Sequence, residues 1–148
     1  MEMHREKLAS VANSKYAEKM ENFCYNAGIA FQLQDDILGI LGEEDRIGKP
    51  VGSDIREGKR TLIIYDFYKK ATEEDIATLE KTLGNSKATR GEIDQAKDLL
   101  VKYGSIDYVK DLAADYVKKA LPFLDDLRDS KYKDLLLAWA KYMIEREY

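Results

Sequence analysis

The stretch "FQLQDDILG", residues 31–39, sets two adjacent carboxylates inside an apolar, helix-forming run. Asp35 follows Phe31 by four residues and precedes Leu38 by three, so on a helix the three share a face. Asp35 is therefore expected to point inward with those apolar side chains. An inward carboxylate is costly unless a positive group meets it. The flanking sequence supplies a helix to carry the pair and cations to meet it.

Upstream, Met20, Phe23, Ala27, Phe31 and Leu38 keep a helical rhythm. The pattern predicts a helix from about residue 5 to 41, with Asn13–Ser14 as a place where it can break. Gly42 ends it. Downstream, "GEEDRIGKPVGSDIREG" (42–58) holds four of the nine glycines, one of the two prolines and eight charged residues. It is the one long non-periodic segment, and long ordered loops tend to carry function. Helices are expected to resume at 59–71, then from Thr72, a cap, to about 83. "TRGE" (89–92) has capping-box spacing and opens a helix to Tyr103, which Gly104 ends. Another runs from Ser105 to about 128, broken near Pro122. Ser130 caps the last, 131–147, with Leu135, Leu136, Trp139 and Met143. Helix formers dominate and strand alternation is scarce, so the fold class is all-α, one helical domain over 1–148.

Bulk properties narrow the function. The 148-residue chain is 45% hydrophobic and 35% charged, which is globular. Its net charge of −4 does not favour nucleic acid as a partner. The only cysteine, Cys24, is read as a small core residue; no disulfide framework or zinc cluster can form, which fits a cytoplasmic protein. The only histidine, His4, lies near the start, so a serine triad or histidine-rich metal site is excluded. No apolar run approaches the roughly 18–20 residues of a transmembrane segment.

The carboxylates then acquire chemistry. Hard oxygen ligands suit Mg²⁺, which takes one or two protein carboxylates and completes its shell with water and phosphate. Asp35 and Asp36 lie about 100° apart on a helix, so one can bind metal while the other acts beside it. Asp36 shares a face with Gln32. Lys49, Arg56, Lys59 and Arg60 follow as cations, Gly48 and Gly58 allow close backbone approach, and Asp54 is a third candidate carboxylate. Together these read as a site for a Mg²⁺-chelated polyphosphate. "GSDIREGKRT" (52–61) fails as a P-loop, because Ser53 and Arg60 stand where Gly and Ser or Thr are needed. Trp139 and the ten tyrosines are read as helix-packing residues, and "LEKTLGNSKATRGE" (79–92) as a solvated hairpin loop.

The ordered string FQ–DD, then GKP–GSDI–GK–TL, within "FQLQDDILGILGEEDRIGKPVGSDIREGKRTL" (31–62), resembles the second aspartate-rich region of trans-isoprenyl diphosphate synthases, in particular the archaeal geranylgeranyl type. The likeness extends more weakly to "YGSIDY" (103–108) and "YMIER" (142–146). It implies a terpene-synthase-type helical bundle. It also implies a Mg²⁺-dependent prenyl transfer joining isopentenyl diphosphate to an allylic diphosphate. By resemblance, Asp35 coordinates Mg²⁺, Asp36 assists, Lys49 and Lys59 meet the diphosphate, Asp54 holds metal-bound water, and Gln32 lies near the reacting carbons. Two departures stand out. The third Asp of the fuller DDxxD motif is Gly39 here. The first aspartate-rich motif, with its arginines, is absent; "DDLRD" (125–129) matches the letters but no arginine cluster follows it. The chain thus resembles the C-terminal half of such an enzyme. Exposed helix faces are then expected to drive homo-oligomerisation or pairing with the missing N-terminal half. The alternative is a non-catalytic regulatory or structural subunit of a heteromeric synthase.

Overall fold

The computed structural model describes residues 14–42 and 52–145, with side chains over 16–42 and 52–142. The order is α1 (Ser14–Leu41), α2 (Ser53–Glu57), α3 (Leu62–Lys70), α4 (Glu73–Thr82), α5 (Arg90–Lys102), α6 (Ser105–Ala120), a 3-10 turn (Leu121–Leu124) and α7 (Lys131–Glu145). Among the described residues there is no strand, as expected. No described helix is long and apolar enough to cross a membrane.

α1 spans 28 residues, about 42 Å at the helical rise, and packs mainly against α6. Two apolar clusters sit along that pair. One joins Leu33, Ile37 and Ile40 of α1 to Ile55, Ile63, Phe67, Leu79, Ile93, Leu100 and Ile106. The other joins Phe23, Ala27 and Ala30 to Val117, Ala120, Leu124 and Ala140. Tyr116 packs against both. The first cluster holds the end of α1 that carries the aspartates.

The caps lie where the sequence places them. The Thr72 hydroxyl accepts from Asp75 N, and the Ser130 hydroxyl from Lys133 N. Thr89 and Glu92 form the capping box. Gly104 takes φ 68, the left-handed form that glycine adopts without a Cβ penalty. Asp75 also ties α4 to α5, accepting from Lys102 Nζ at 2.9 Å and the Tyr103 hydroxyl at 2.7 Å. These bonds hold its carboxyl below the usual range. A depressed folded pKa gives stability that is present above the unfolded value and lost as pH falls through the folded one. An Asp75→Asn variant should therefore show a lower urea midpoint than the parent at neutral pH. The gap should close below about pH 3.8, the ordinary value.

Several expectations are corrected. The 42–58 segment is not loop throughout, because α2 lies inside it. The helix expected at 59–71 begins at Leu62, after Thr61. The helix expected to reach 128 tightens into the 3-10 turn at Leu121, with Pro122 in its first turn. Cys24 is exposed rather than core, since it follows the buried Phe23 and points about 100° away. The 79–92 stretch is not a free loop: Leu79, Thr82 and Ala88 are buried, and Arg56 donates to the Ala88 carbonyl. Trp139 packs on Phe23 with ring centroids 6.3 Å apart, yet stays half exposed.

Candidate functional site

Asp35 does share a face with Phe31, but that face is open. Phe31 is 41% exposed and Asp35 is exposed, while the inward polar residue is Gln34. The expected inward carboxylate is thus an outward one. The physical reason is that α1 packs through Leu33, Ile37 and Ile40 on one side only. Cys24, Tyr25, Gly28 and Phe31 form an exposed strip that runs toward Gln32 and Asp35. Asp36 is partly buried and accepts a hydrogen bond from Gln32 Nε2 at 3.0 Å.

The facing wall is α2. Gly52 (φ 66) and Gly58 (φ 71) are left-handed and bracket the five-residue helix. Ile55, 1% exposed, anchors it in the core. The Ile55 carbonyl accepts from both Gly58 N (3.1 Å) and Gly84 N (2.8 Å), and Lys59 N returns to the Asp54 carbonyl at 3.0 Å. That fold-back puts Lys59 Nζ 2.5 Å from Oδ1 of Asp54, with Glu57 at 3.3 Å. Asp54 is buried, and its carboxylate occupies the space where a Cβ on Gly39 of α1 would stand. Residue 39 is one turn beyond Asp35 and Asp36, so α2 delivers Asp54 to the aspartate face of α1.

The electrostatics agree with that arrangement. Burial raises the Asp36 pKa first, and the neighbouring Asp54 and Asp35 carboxylates add to it; the Gln32 bond and Lys59 oppose it. The bond to Asp54 raises the Lys59 pKa. Among the described residues the site is a group of carboxylates with the Lys59 ammonium at its rim, and the hard oxygens suit a divalent ion. Among the described residues no three His, Cys, Asp or Glu side chains converge on one ion position.

The structure brings together Gln32, Asp35, Asp36, Asp54 and Lys59. Lys49 lies outside the described residues. Arg56 and Arg60 are engaged elsewhere: Arg56 with the Ala88 carbonyl, Arg60 with Glu80 and Tyr68. "DDLRD" is remote from the site. Asp126 pairs with Lys19, which is 16 residues from Asp35, about 24 Å along α1. Asp129 pairs with Lys133 at 3.1 Å.

Residues 4–100, more than half of the chain, match the family model described as Polyprenyl synthetase. A geranylgeranyl diphosphate synthase of Methanosarcina mazei is 41% identical over 141 residues, covering 95% of this chain and 42% of that protein. A geranylgeranyl diphosphate synthase of Saccharolobus solfataricus is 40% identical over 120 residues, covering 81% and 36%. Among solved structures, the geranylgeranyl pyrophosphate synthetase of Pyrococcus horikoshii is 43% identical with a TM-score of 0.81, covering 92% of this chain and 41% of that one. A geranylgeranyl pyrophosphate synthase of Corynebacterium glutamicum, complexed with isoprenyl diphosphate and magnesium, is 28% identical with a TM-score of 0.81, covering 88% and 37%. The chain thus spans about two-fifths of the length of these relatives. It has the all-α isoprenoid-synthase fold over the part it covers, and it belongs to the polyprenyl synthetase family.

Proposed function

We propose that this chain supplies the second aspartate-rich half of a prenyltransferase site that joins isopentenyl diphosphate to an allylic diphosphate in isoprenoid biosynthesis. The observation that carries it is the approach of Asp54 and Lys59 on α2 to Asp36 of α1, next to which Asp35 stands exposed. A relative of the same fold is described with isoprenyl diphosphate and magnesium. Asp35 and Asp36 are the carboxylates that would hold Mg²⁺, with Asp54 beside them. Bound Mg²⁺ would neutralise the departing diphosphate. Lys59 keeps one ammonium proton on Asp54 and one on Glu57, so a third can meet a diphosphate oxygen. Lys49 is proposed as a second cation for that diphosphate. Gln32 fixes Asp36 and stands on the side toward the exposed strip. Phe31, Gly28 and Tyr25 would line the path of the prenyl chain. In the overall reaction the allylic C–O bond breaks, a bond to the isopentenyl carbon forms, and a proton leaves. The first aspartate-rich motif and the remaining wall would come from the complementary N-terminal region of the family. The working enzyme is proposed to be cytoplasmic.

Calorimetric titration of inorganic diphosphate, with and without Mg²⁺, tests the reading. Binding is expected only with Mg²⁺, and Asp35→Ala should weaken it by at least about 100-fold. Metal-independent binding, or equal binding by the variant, overturns it. Absence of binding by the parent chain would mean that this half does not hold diphosphate alone, and would favour the reading as a non-catalytic subunit.

A second expectation concerns association. Tyr25 is 67% exposed on α1, and Tyr132, Leu135, Trp139 and Tyr142 recur at helical spacing on α7, each 46–66% exposed. Apolar surface of this kind favours self-association. Light scattering should give a mass above the 17.0 kDa of one chain, rising with concentration. A constant single-chain mass would contradict this.

A further inference from the structure

α2 has five residues, well below the roughly 12–15 at which an isolated helix begins to hold in water. Its place is therefore set by what grips it. Ile55 anchors it in the core. The connection between α4 and α5 grips it at two further points. Gly84 N donates to the Ile55 carbonyl at 2.8 Å, and the Arg56 guanidinium donates to the Ala88 carbonyl. One bond alone would let α2 pivot about it; two, on consecutive residues, fix its direction. The Ala88 anchor is itself held. Ala88 is buried, and its N–H closes a turn on the Asn85 carbonyl at 3.0 Å. The Asn85 side chain accepts from Lys87 N at 3.0 Å, and the Thr89–Glu92 capping box starts one residue later. A bond from a charged donor to such a carbonyl is among the stronger ones a protein makes. Arg56 thus commits its charge to a partner 32 residues away, although it stands two residues from Asp54 and three from Lys59.

We propose that Arg56 is a positioning residue rather than a diphosphate ligand: through the Ala88 carbonyl it fixes the angle at which α2 presents Asp54 and Lys59 to Asp36. Lys59 depends on that angle, because its backbone N–H (3.0 Å) and its ammonium (2.5 Å) both rest on Asp54. A tilt of α2 therefore moves the carboxylate and the cation together. The bond to Ala88 uses one guanidinium nitrogen and one oxygen, so a lysine ammonium can take it over. Methionine keeps an unbranched apolar stem without a donor. The consequence for diphosphate rests on the diphosphate–Mg²⁺ reading above; the tie between α2 and the α4–α5 connection does not.

The test separates the two. Amide hydrogen exchange is measured on the full chain for the parent, Arg56→Met and Arg56→Lys. The reporters are Lys59 N, bonded to the Asp54 carbonyl, and Gly84 N, bonded to the Ile55 carbonyl. Tyr108 N, bonded to the Gly104 carbonyl at the start of α6, is the control. Arg56→Met should speed exchange at both reporters by about tenfold and leave Tyr108 unchanged, while Arg56→Lys stays near the parent. Titration of inorganic diphosphate with Mg²⁺ follows. Arg56→Met should bind about tenfold more weakly, and Arg56→Lys should recover most of that loss. Should Arg56→Met fail to fold, Arg56→Gln, a shorter donor that stops short of Ala88, carries the same comparison. Weaker binding with exchange unchanged would mean that Arg56 meets diphosphate directly, and would overturn the proposal. So would faster exchange at Tyr108 as well, which marks general loosening, or faster exchange at the reporters with binding unchanged. A parent chain that does not bind diphosphate removes the functional reading, and the role of Arg56 in binding falls with it. The exchange rates still decide whether Arg56 ties α2 to the connection.

Discussion

A Gly58→Ala variant is expected to lose about 2–4 kcal/mol of stability and most of its Mg²⁺-dependent diphosphate binding. Two penalties act together. Gly58 has φ 71, and a Cβ in the left-handed region costs about 1–2 kcal/mol. The same Cβ would also lie 2.9 Å from the Cα of Gly84 and 3.3 Å from its nitrogen. Those are backbone atoms, and Gly84 N is already bonded to the Ile55 carbonyl at 2.8 Å. Relief requires pushing the α4–α5 connection off α2, which loosens the fold-back that seats Lys59 on Asp54. Gly104→Ala is the control. Gly104 has φ 68, but nothing lies within 4 Å of its Cβ position. It should therefore show the conformational penalty alone and keep full binding. Urea unfolding at constant slope and the diphosphate titration measure both effects. Equal losses in the two variants would show that the Gly58–Gly84 approach does not hold the site.

Much of this arrangement could be read from residue types at fixed spacing. The caps at Thr72, Thr89 and Ser130 are local chemistry, and local chemistry survives folding unchanged. That Asp36, Asp54 and Lys59 lie near one another was legible because those residues are close in the chain and carry complementary charge. What failed depended on tertiary partners. Periodicity says that Phe31, Asp35 and Leu38 lie near one another on α1, but not whether that face is covered. Leu38 is 8% exposed and Phe31 41%, so the edge of the packed surface runs between them. Cys24 was misplaced for the same reason: a small apolar residue carries little information about which side of a helix is occupied. Arg56 and Arg60 look like phosphate ligands by type and position, yet the Ala88 carbonyl, Glu80 and Tyr68 engage them first. Ala88 lies 32 residues beyond Arg56 and Glu80 lies 20 beyond Arg60, out of reach of local spacing, while Tyr68 stands on the next helix, eight residues beyond Arg60. Gly39 was readable as a missing aspartate, but its fit to Asp54 is a contact between helices and visible only in three dimensions.

Asp36→Asn is expected to move stability and binding in opposite directions. Burial and the nearby Asp54 and Asp35 carboxylates disfavour the charged form of Asp36 in the folded chain, against the Gln32 bond and Lys59. Its folded pKa therefore lies above the unfolded value of 3.8. For an acid shifted upward, the folded state holds its proton longer than the unfolded state as pH rises. Stability is highest while both states are protonated, and falls as pH rises past 3.8 toward the folded value. Above the folded pKa the chain carries that cost in full. Asparagine removes the charge and keeps an oxygen to accept from Gln32. The variant should then be more stable at pH 7 by about 0.5–1 kcal/mol, a small gain because Asp36 is partly exposed. The advantage should vanish as pH approaches 3.8. Binding should fall by at least about 100-fold, since an amide cannot replace a carboxylate beside a divalent ion. Adding Mg²⁺ with diphosphate should reverse the order of stability. Ligand at about 100 times its Kd stabilises the parent by about 2.7 kcal/mol and leaves the variant nearly unmoved. The two urea midpoints should therefore cross between ligand-free and ligand-saturated conditions. A variant less stable than the parent without ligand would mean that the Asp36 carboxylate supports the fold rather than strains it.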